Sequence, residues 1–264
     1  AGQKEPVIDM PTRFVDFMRV LVPMAGDDTT PEGEQVNIYG NHVGSWNFAA
    51  TAYLNRWKVK IYYEHYFDDH SQMFFQYGRW KDGHIGLEIT FPKNRFIDTF
   101  VYEGLGTKDQ TGPMLYDSFW GEFEEQISAK DNYYNHYLYQ GWQHWGMGIG
   151  NPLLPGPIYN KNGQITFISN RVLAHHIGFC GSPCQSLSYR MLLSYSRHWG
   201  TYDNPLNEIK KQFNSLFEVT YAPQQLKGWS FTVSGAMDRG SILGNNYGGM
   251  LVIRKQGIIK SGNK

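Results

Sequence analysis

Apolar and polar side chains alternate along much of this 264-residue chain. Between residues 36 and 54, Val36, Ile38, Trp46 and Phe48 occupy even positions, whereas most odd positions are polar. Successive side chains of a β-strand point to opposite faces of its sheet, so this pattern predicts a strand with one apolar and one polar face. Similar strands are predicted at 58–67, 85–91, 187–196 and 229–238, and weaker ones at 96–103, 171–180, 213–222 and 247–255. The sequence therefore predicts an all-β protein with nine strands.

The length of these strands favours a membrane setting. They are mostly about ten residues long, whereas strands of soluble sheets have roughly five or six. At ~3.3 Å per residue and a tilt of ~45°, ten residues cross roughly 23 Å, close to the ~25 Å apolar band of an outer-membrane barrel. A soluble β-sandwich alternates in the same way and stays open as an alternative.

Short and long connections also alternate. Short turns are predicted at 55–56, 92–95, 181–183 and 223–227, and long loops at 68–83, 104–170, 198–212 and 239–246. Outer-membrane barrels have short periplasmic turns and long extracellular loops. The pattern therefore predicts an antiparallel transmembrane barrel in the bacterial outer membrane, with extracellular loops and a periplasmic C-terminus.

The strand count is odd, whereas bacterial barrels have an even number of strands. The first predicted strand descends from outside, so at least one ascending strand is expected within 1–34 or upstream of the sequence. Residues 13–22 fit such a strand, or a short amphipathic helix that ends near Pro23. We divide the chain into an N-terminal segment at 1–34, barrel strands and loops at 35–257, and a tail at 258–264.

The composition argues against several other classes. The 24 basic and 24 acidic residues give zero formal charge, which argues against nucleic-acid binding. No apolar run of roughly 18 residues is present, so no transmembrane helix is expected. The motifs of serine hydrolases, zinc proteases and P-loop enzymes are also missing from the sequence. We therefore expect neither enzymatic activity nor a cofactor.

A set of short segments points to a family. They are Gly40–Trp46, Tyr62–Asp69, Asp109–Pro113, Asp131–Asn135, Gly141–Asn160, Asn170–Val172, Tyr189–Arg190, Leu226–Trp229 and Leu243–Asn246. Through them the chain resembles the C-terminal part of the Wzi-like capsule-assembly proteins of Bacteroidetes-type bacteria. The resemblance implies an outer-membrane barrel of about eighteen strands with lectin-like affinity for capsular polysaccharide.

The same resemblance implies the partners. This chain corresponds to roughly the C-terminal half of such a barrel, which agrees with the odd strand count. Capsular or surface polysaccharide and outer-membrane lipid are then expected partners, together with an N-terminal half or another outer-membrane protein.

Segment 131–148 is the densest in aromatic residues. Carbohydrate sites combine flat rings for the C–H faces of sugars with amide and imidazole groups for the hydroxyls, and Tyr and Trp bind at low rotamer-entropy cost. The candidate polysaccharide-binding residues here are Tyr133, Tyr134, Asn135, Tyr139, Trp142, His144 and Trp145. The alternative is that these rings close the barrel mouth or belong to an interfacial aromatic belt.

Arg171 and Arg190 complete the candidate site. Inside a polar lumen, their guanidinium groups can hold an anionic glycan by charge-assisted hydrogen bonds. The alternative is that the lumenal cations form ion pairs with Glu64 and Glu88.

Two further pairs of residues are candidates for other roles. Asp68 and Asp69, at the entrance of a predicted loop, offer oxygen ligands for a divalent cation, and a solvated loop is the favoured alternative. Cys180 and Cys184 flank the predicted turn 181–183 and are candidates for a disulfide in an oxidising periplasm.

We therefore predict an outer-membrane barrel that binds or anchors capsular or other surface polysaccharide, without making or breaking bonds. A porin-like or transport-accessory barrel is the alternative, and an outer-membrane glycan or lipid hydrolase is a third possibility.

Overall fold

The computed structural model describes residues 11–22, 24–30, 35, 42–68, 75, 82–94, 96–110, 131–135 and 141–257. Nine antiparallel strands form one sheet in chain order. They are β1 (Val43–Leu54), β2 (Trp57–Asp68), β3 (Gly83–Thr90), β4 (Thr99–Gly106), β7 (Val172–Cys184), β8 (Leu187–Gly200), β9 (Pro205–Tyr221), β10 (Trp229–Gly240) and β11 (Asn246–Lys255). The short strands β5 (Gln143–His144) and β6 (Met147–Gly148) form a separate hairpin. The prediction of an all-β chain is confirmed for this part of the molecule.

The sheet has two edges in the part of the chain that the structure describes. β1 and β11 each pair with one neighbour, so the sheet is not closed there. The predicted start of the first strand at 36–41 and the predicted tail at 258–264 lie outside the described residues. No helix in the described ranges is long and apolar enough to cross a membrane.

The N-terminal segment contains a helix, as one of the two interpretations of 13–22 predicts. Helix α1 covers Phe14–Leu21 and is amphipathic. Its polar side is fixed by Asp16, whose carboxylate accepts hydrogen bonds from the backbone and the guanidinium of Arg13 and pairs with Arg19 at 3.1 Å. The hydrogen bond from the Arg13 side chain is the main reason why the pKa of Asp16 lies below its usual value.

Two predicted connections are wrong. The turn predicted at 181–183 belongs to β7, and the chain turns at Gln185 and Ser186 instead. A register shift between Gly181 and Cys184 marks a β-bulge, and a bulge is one of the few places where a strand accommodates proline.

The long loop predicted at 198–212 is also mostly strand. β8 continues to Gly200 and β9 begins at Pro205. Their ladder pairs Arg197 with Lys211 and His198 with Lys210. Apolar alternation is lost in these polar stretches although the backbone hydrogen bonds continue, so the sequence pattern misses the strand ends.

The register of the nine strands separates two faces. One cross-strand row consists of Ala50, Ile61, Leu87, Tyr102, Ile177, Leu193, Ser215, Met237 and Tyr247. The adjacent row on the opposite side consists of Ala49, Tyr62, Gly86, Glu103, His176, Ser194, Asn214, Asp238 and Asn246. We call the first side the apolar face and the second the polar face. Most of the apolar face is open, since Ile61 is 55% exposed and Val233 is 61% exposed. At one end of β2, His65 on the same face is buried, and its ring stacks on Phe75 with centroids 4.0 Å apart.

Aromatic residues mark both ends of the apolar face. Near the short turns lie Trp57, Phe179, Tyr189, Phe217, Tyr221, Trp229 and Phe231, and at the opposite end lie Trp46, Tyr63, Tyr195 and Phe213. Neighbouring rings contact one another, as Trp57 and Phe91 do with centroids 5.0 Å apart. Aliphatic side chains such as Ile61 and Val233 lie between the two groups.

On the polar face, Gly86 makes room for the ring of Tyr62. A Cβ at Gly86 would lie 2.0 Å from Cζ of Tyr62, so that ring crosses β3 directly over the glycine. Gly86→Ala should therefore destabilise the protein by about 1–3 kcal/mol, as expected for overpacking. Gly235→Ala is the matched control, since a Cβ there meets nothing within 4 Å. Urea unfolding measures both changes, and equal effects would contradict this packing.

Candidate functional site

Residues 131–135 and 141–171, which we call the loop cover, pack against the polar face. The buried apolar cluster of the described residues forms at this contact and consists of Leu105, Tyr133, Tyr134, Leu154, Phe167, Val172 and Ala174. Leu105 and Ala174 are paired neighbours on the polar face. A β-sandwich buries the apolar faces of its two sheets against each other. Here the apolar face stays open, and the described core lies on the other side of the sheet.

Asp82, which directly precedes β3, ties the loop cover to the sheet. It is 1% exposed. Its carboxylate accepts hydrogen bonds from the backbone N–H of Asp109 (2.9 Å), the backbone N–H of Gln110 and the hydroxyl of Tyr133 (2.9 Å). Burial raises the pKa of Asp82 above its usual value and holds the pKa of Tyr133 well above its own. Tyr133 is therefore a neutral hydrogen-bond donor to the Asp82 carboxylate. A carboxylate is costly to bury without such partners.

Side-chain amides complete the attachment of the loop cover. Asn135 and Phe167 exchange two hydrogen bonds of 2.8 Å, from the Asn135 amide to the Phe167 carbonyl and from the Phe167 N–H to the Asn135 side chain. Asn170 donates to the carbonyl of Tyr133 at 2.7 Å and accepts from the Gln110 amide at 2.9 Å. These residues hold the backbone of the loop cover in one conformation.

The predicted sugar-binding residues fall into two groups. Tyr133 and Tyr134 are buried and pack against Tyr66, with ring centroids 4.9 Å and 5.8 Å from it, respectively. Trp142 packs against the same cluster, and Asn135 is hydrogen-bonded as described above. These four residues lie between the loop cover and the sheet. Tyr139 lies outside the described residues.

His144 and Trp145 differ because they lie at the tip of the β5–β6 hairpin. The Trp145 side chain is 83% exposed, and its ring centroid lies 6.1 Å from that of His144 in an edge arrangement. Trp145 has a φ of 52°, a left-handed conformation that few non-glycine residues adopt. The turn therefore directs a large aromatic ring into solvent.

Neither predicted arginine is directed at the cavity described below. Arg190 pairs with Glu218 at 3.3 Å on the polar face. Arg171 donates to the backbone carbonyl of Lys108 at 3.3 Å. Lys58 pairs with Glu88 at 3.4 Å, as the ion-pair alternative predicts.

The remaining candidate pairs are placed as follows. Asp68 is the last residue of β2, and Asp69 lies outside the described residues. Cys180 and Cys184 are both free thiols, so the predicted disulfide is not present in the structure. The β-bulge between Gly181 and Cys184 explains why the two cysteines do not flank a tight turn.

A cavity of about 690 Å³ lies between the polar face and the loop cover. Its polar side chains are Ser45, Glu64, Thr107, Asn151, His176 and Ser194, together with His84 and Glu103. Sequence reasoning identified Glu64 only as a partner for a cation and did not single out His84 or Glu103. The polar positions of the alternating strands were the available sequence signal for these residues. They do not show which end of the sheet the long loop covers.

A scan against protein-family models gives no match, and comparisons with curated proteins and with solved structures give none either.

Asp82→Ala should release the loop cover from the sheet. The change leaves buried donors without an acceptor, at a cost of about 1–3 kcal/mol for each donor. Tyr133→Phe removes one donor and keeps the carboxylate, so it should cost about 1 kcal/mol. Limited proteolysis within 141–171 measures the release, which should be much faster in Asp82→Ala than in Tyr133→Phe. Equal cleavage rates in both variants and the parent protein would contradict this role for Asp82.

Proposed function

We propose that this chain is part of an outer-membrane β-barrel that binds surface polysaccharide at its extracellular end. The open apolar face, opposite a polar face capped by the loop cover, is the observation that carries the proposal. The proposed role is recognition, with no bond made or broken. Membership of the Wzi-like capsule-assembly family is part of the proposal and rests on the sequence resemblance.

The apolar face supports the membrane part of the proposal. Soluble monomers rarely expose contiguous apolar patches larger than a few hundred Å². Membrane barrels present an apolar surface to lipid, aromatic residues at both interfaces and a polar interior. The aliphatic centre and aromatic ends of this sheet have the same order. In this account the short turns and the C-terminus face the periplasm, and the long connections face outward.

The two sheet edges support the proposal of a partner. Within lipid, every backbone N–H and C=O must be paired, so a spanning sheet has to close. Among the described residues β1 and β11 each have an unpaired edge, and we propose that further strands from an N-terminal half or from another outer-membrane protein pair with them.

The loop cover supports recognition rather than open conduction. Its buried aromatic rings and amides occupy one end of the polar face, where a channel would need open space. The exposed Trp145 ring, with His144 beside it, then provides a flat apolar surface and a hydrogen-bonding group for a sugar on the outside.

Trp145→Ala should weaken binding of the host's purified surface polysaccharide at least tenfold, which corresponds to about 1.4 kcal/mol. Loss of the stacking surface is the reason. Met147→Ala is the matched control, because Met147 is exposed in the same hairpin and pairs with His144 but offers no ring. Binding is measured by calorimetry with the protein in detergent micelles. Unchanged affinity in Trp145→Ala, or equal losses in both variants, would remove the hairpin from the account.

A further inference from the structure

The cavity beneath the loop cover is formed by parts of the chain that are distant in sequence. Strands β1 to β4, β7 and β8 provide its floor, and residues 149–154 provide its roof. Its volume of about 690 Å³ lies within the range of roughly 300–1,000 Å³ typical of small-molecule sites. The cavity is therefore large enough to hold sugar units rather than water alone.

Two carboxylates inside the cavity are held by an imidazole. Nδ1 of His84 lies 3.6 Å from Oε2 of Glu64, and Nε2 of the same ring lies 3.6 Å from Oε1 of Glu103. The Tyr62 hydroxyl also donates to Glu103, which it reaches across Gly86. His84 thus lies between carboxylates from the two strands that flank its own, and Tyr62 holds Glu103 in place.

Both carboxylates keep acceptor capacity for a ligand. A carboxylate offers about four lone-pair sites. Among the described residues, His84 is the only charged contact of Glu64, whose side chain is 41% exposed. Glu103 uses one oxygen for both of its contacts with His84 and Tyr62. Such carboxylates accept hydrogen bonds from hydroxyl and ammonium groups. The bond to the charged ammonium group is the stronger of the two.

Glu64 and Glu103 carry two negative charges, and a protonated His84 between them balances one, so the lining stays net negative while His176 is neutral. No lysine or arginine of the described ranges lines the cavity. Lys58 is occupied by Glu88, and Arg190 by Glu218, both outside the lining. An acidic sugar would meet two carboxylates without a compensating guanidinium or ammonium group, whereas an amino sugar would supply the missing positive charge.

The walls suit the apolar side of a sugar ring. They contain Tyr66, Tyr134, Ile149, Pro152, Leu153 and Leu154. Small-molecule sites commonly combine such apolar walls with a few well-placed polar groups. The walls therefore provide contact area, and the two carboxylates provide selectivity.

We propose that this cavity is a subsite for a sugar that carries a protonated amine, with Glu64 and Glu103 as its acceptors. The inference rests on the proposed polysaccharide binding and specifies the class of sugar. It replaces the sequence-based expectation of an anionic glycan held by Arg171 and Arg190.

Three tetrasaccharide probes test the inference by calorimetry on the protein in detergent micelles. They are the β-1,4 tetramer of glucosamine, its fully N-acetylated form and the tetramer of galacturonic acid. The glucosamine tetramer should bind at least tenfold more tightly than either of the others. Glu64→Gln should reduce this preference about tenfold, whereas Glu88→Gln, on the same face but outside the lining, should leave it unchanged. Glu103→Gln provides a second test if Glu64→Gln fails to fold.

Several outcomes would overturn the subsite. They are binding of the galacturonic acid tetramer at least as tight as that of glucosamine, equal binding of the acetylated form, and equal effects of Glu64→Gln and Glu88→Gln. If no tetramer binds while the host polysaccharide still binds through Trp145, the subsite is wrong and the proposed function stands. If the glucosamine tetramer binds as expected while the host polysaccharide does not, the subsite stands and the proposed function is wrong.

Discussion

The cross-strand register of the sheet is the constraint on which the rest of the structure depends. Because side chains alternate with a period of two, a slip of one residue in any strand would move its apolar set to the polar face. The register joins Ile61 to Leu87 on one side and Glu103 to His176 on the other, and it shifts only near the strand ends, between Gly181 and Cys184 and between His198 and Gly200. The sheet therefore has one apolar face and one polar face, and the loop cover packs on the polar face.

The attachment of the loop cover uses buried polar groups as well as apolar contact. Asp82 alone accepts three hydrogen bonds from two separate stretches of the long connection after β4. A buried carboxylate is costly unless it is hydrogen-bonded, and its three donors favour one arrangement of this connection. It places residues 149–154 above Glu64 and Glu103, so the shape of the cavity depends on a carboxylate outside its lining.

The sequence predicts the nine strands well, because a period of two over about ten residues is a strong signal. It predicts the helix at 14–21 only as one of two interpretations, since so short an apolar pattern fits both the helical and the strand period. The bulge at 181–184 is missed because Gly and Pro favour turns and bulges alike.

Burial of Tyr133 and Tyr134 is not predictable from composition, since whether a ring packs or faces solvent is decided by contacts with Tyr66. The cavity is missed because six strands and a distant loop assemble it.

We propose that the apolar face contacts lipid. Ala49 and Ala50 test it most directly, because they are adjacent in β1, equally small and both exposed, yet lie on opposite faces. The free energy of unfolding in urea would be measured for Ala49→Lys and Ala50→Lys, with the protein folded into phospholipid vesicles. The account predicts that Ala50→Lys is less stable than Ala49→Lys by about 2–4 kcal/mol, as for a lysine facing the bilayer midplane. Equal, small effects of the two lysines would contradict it.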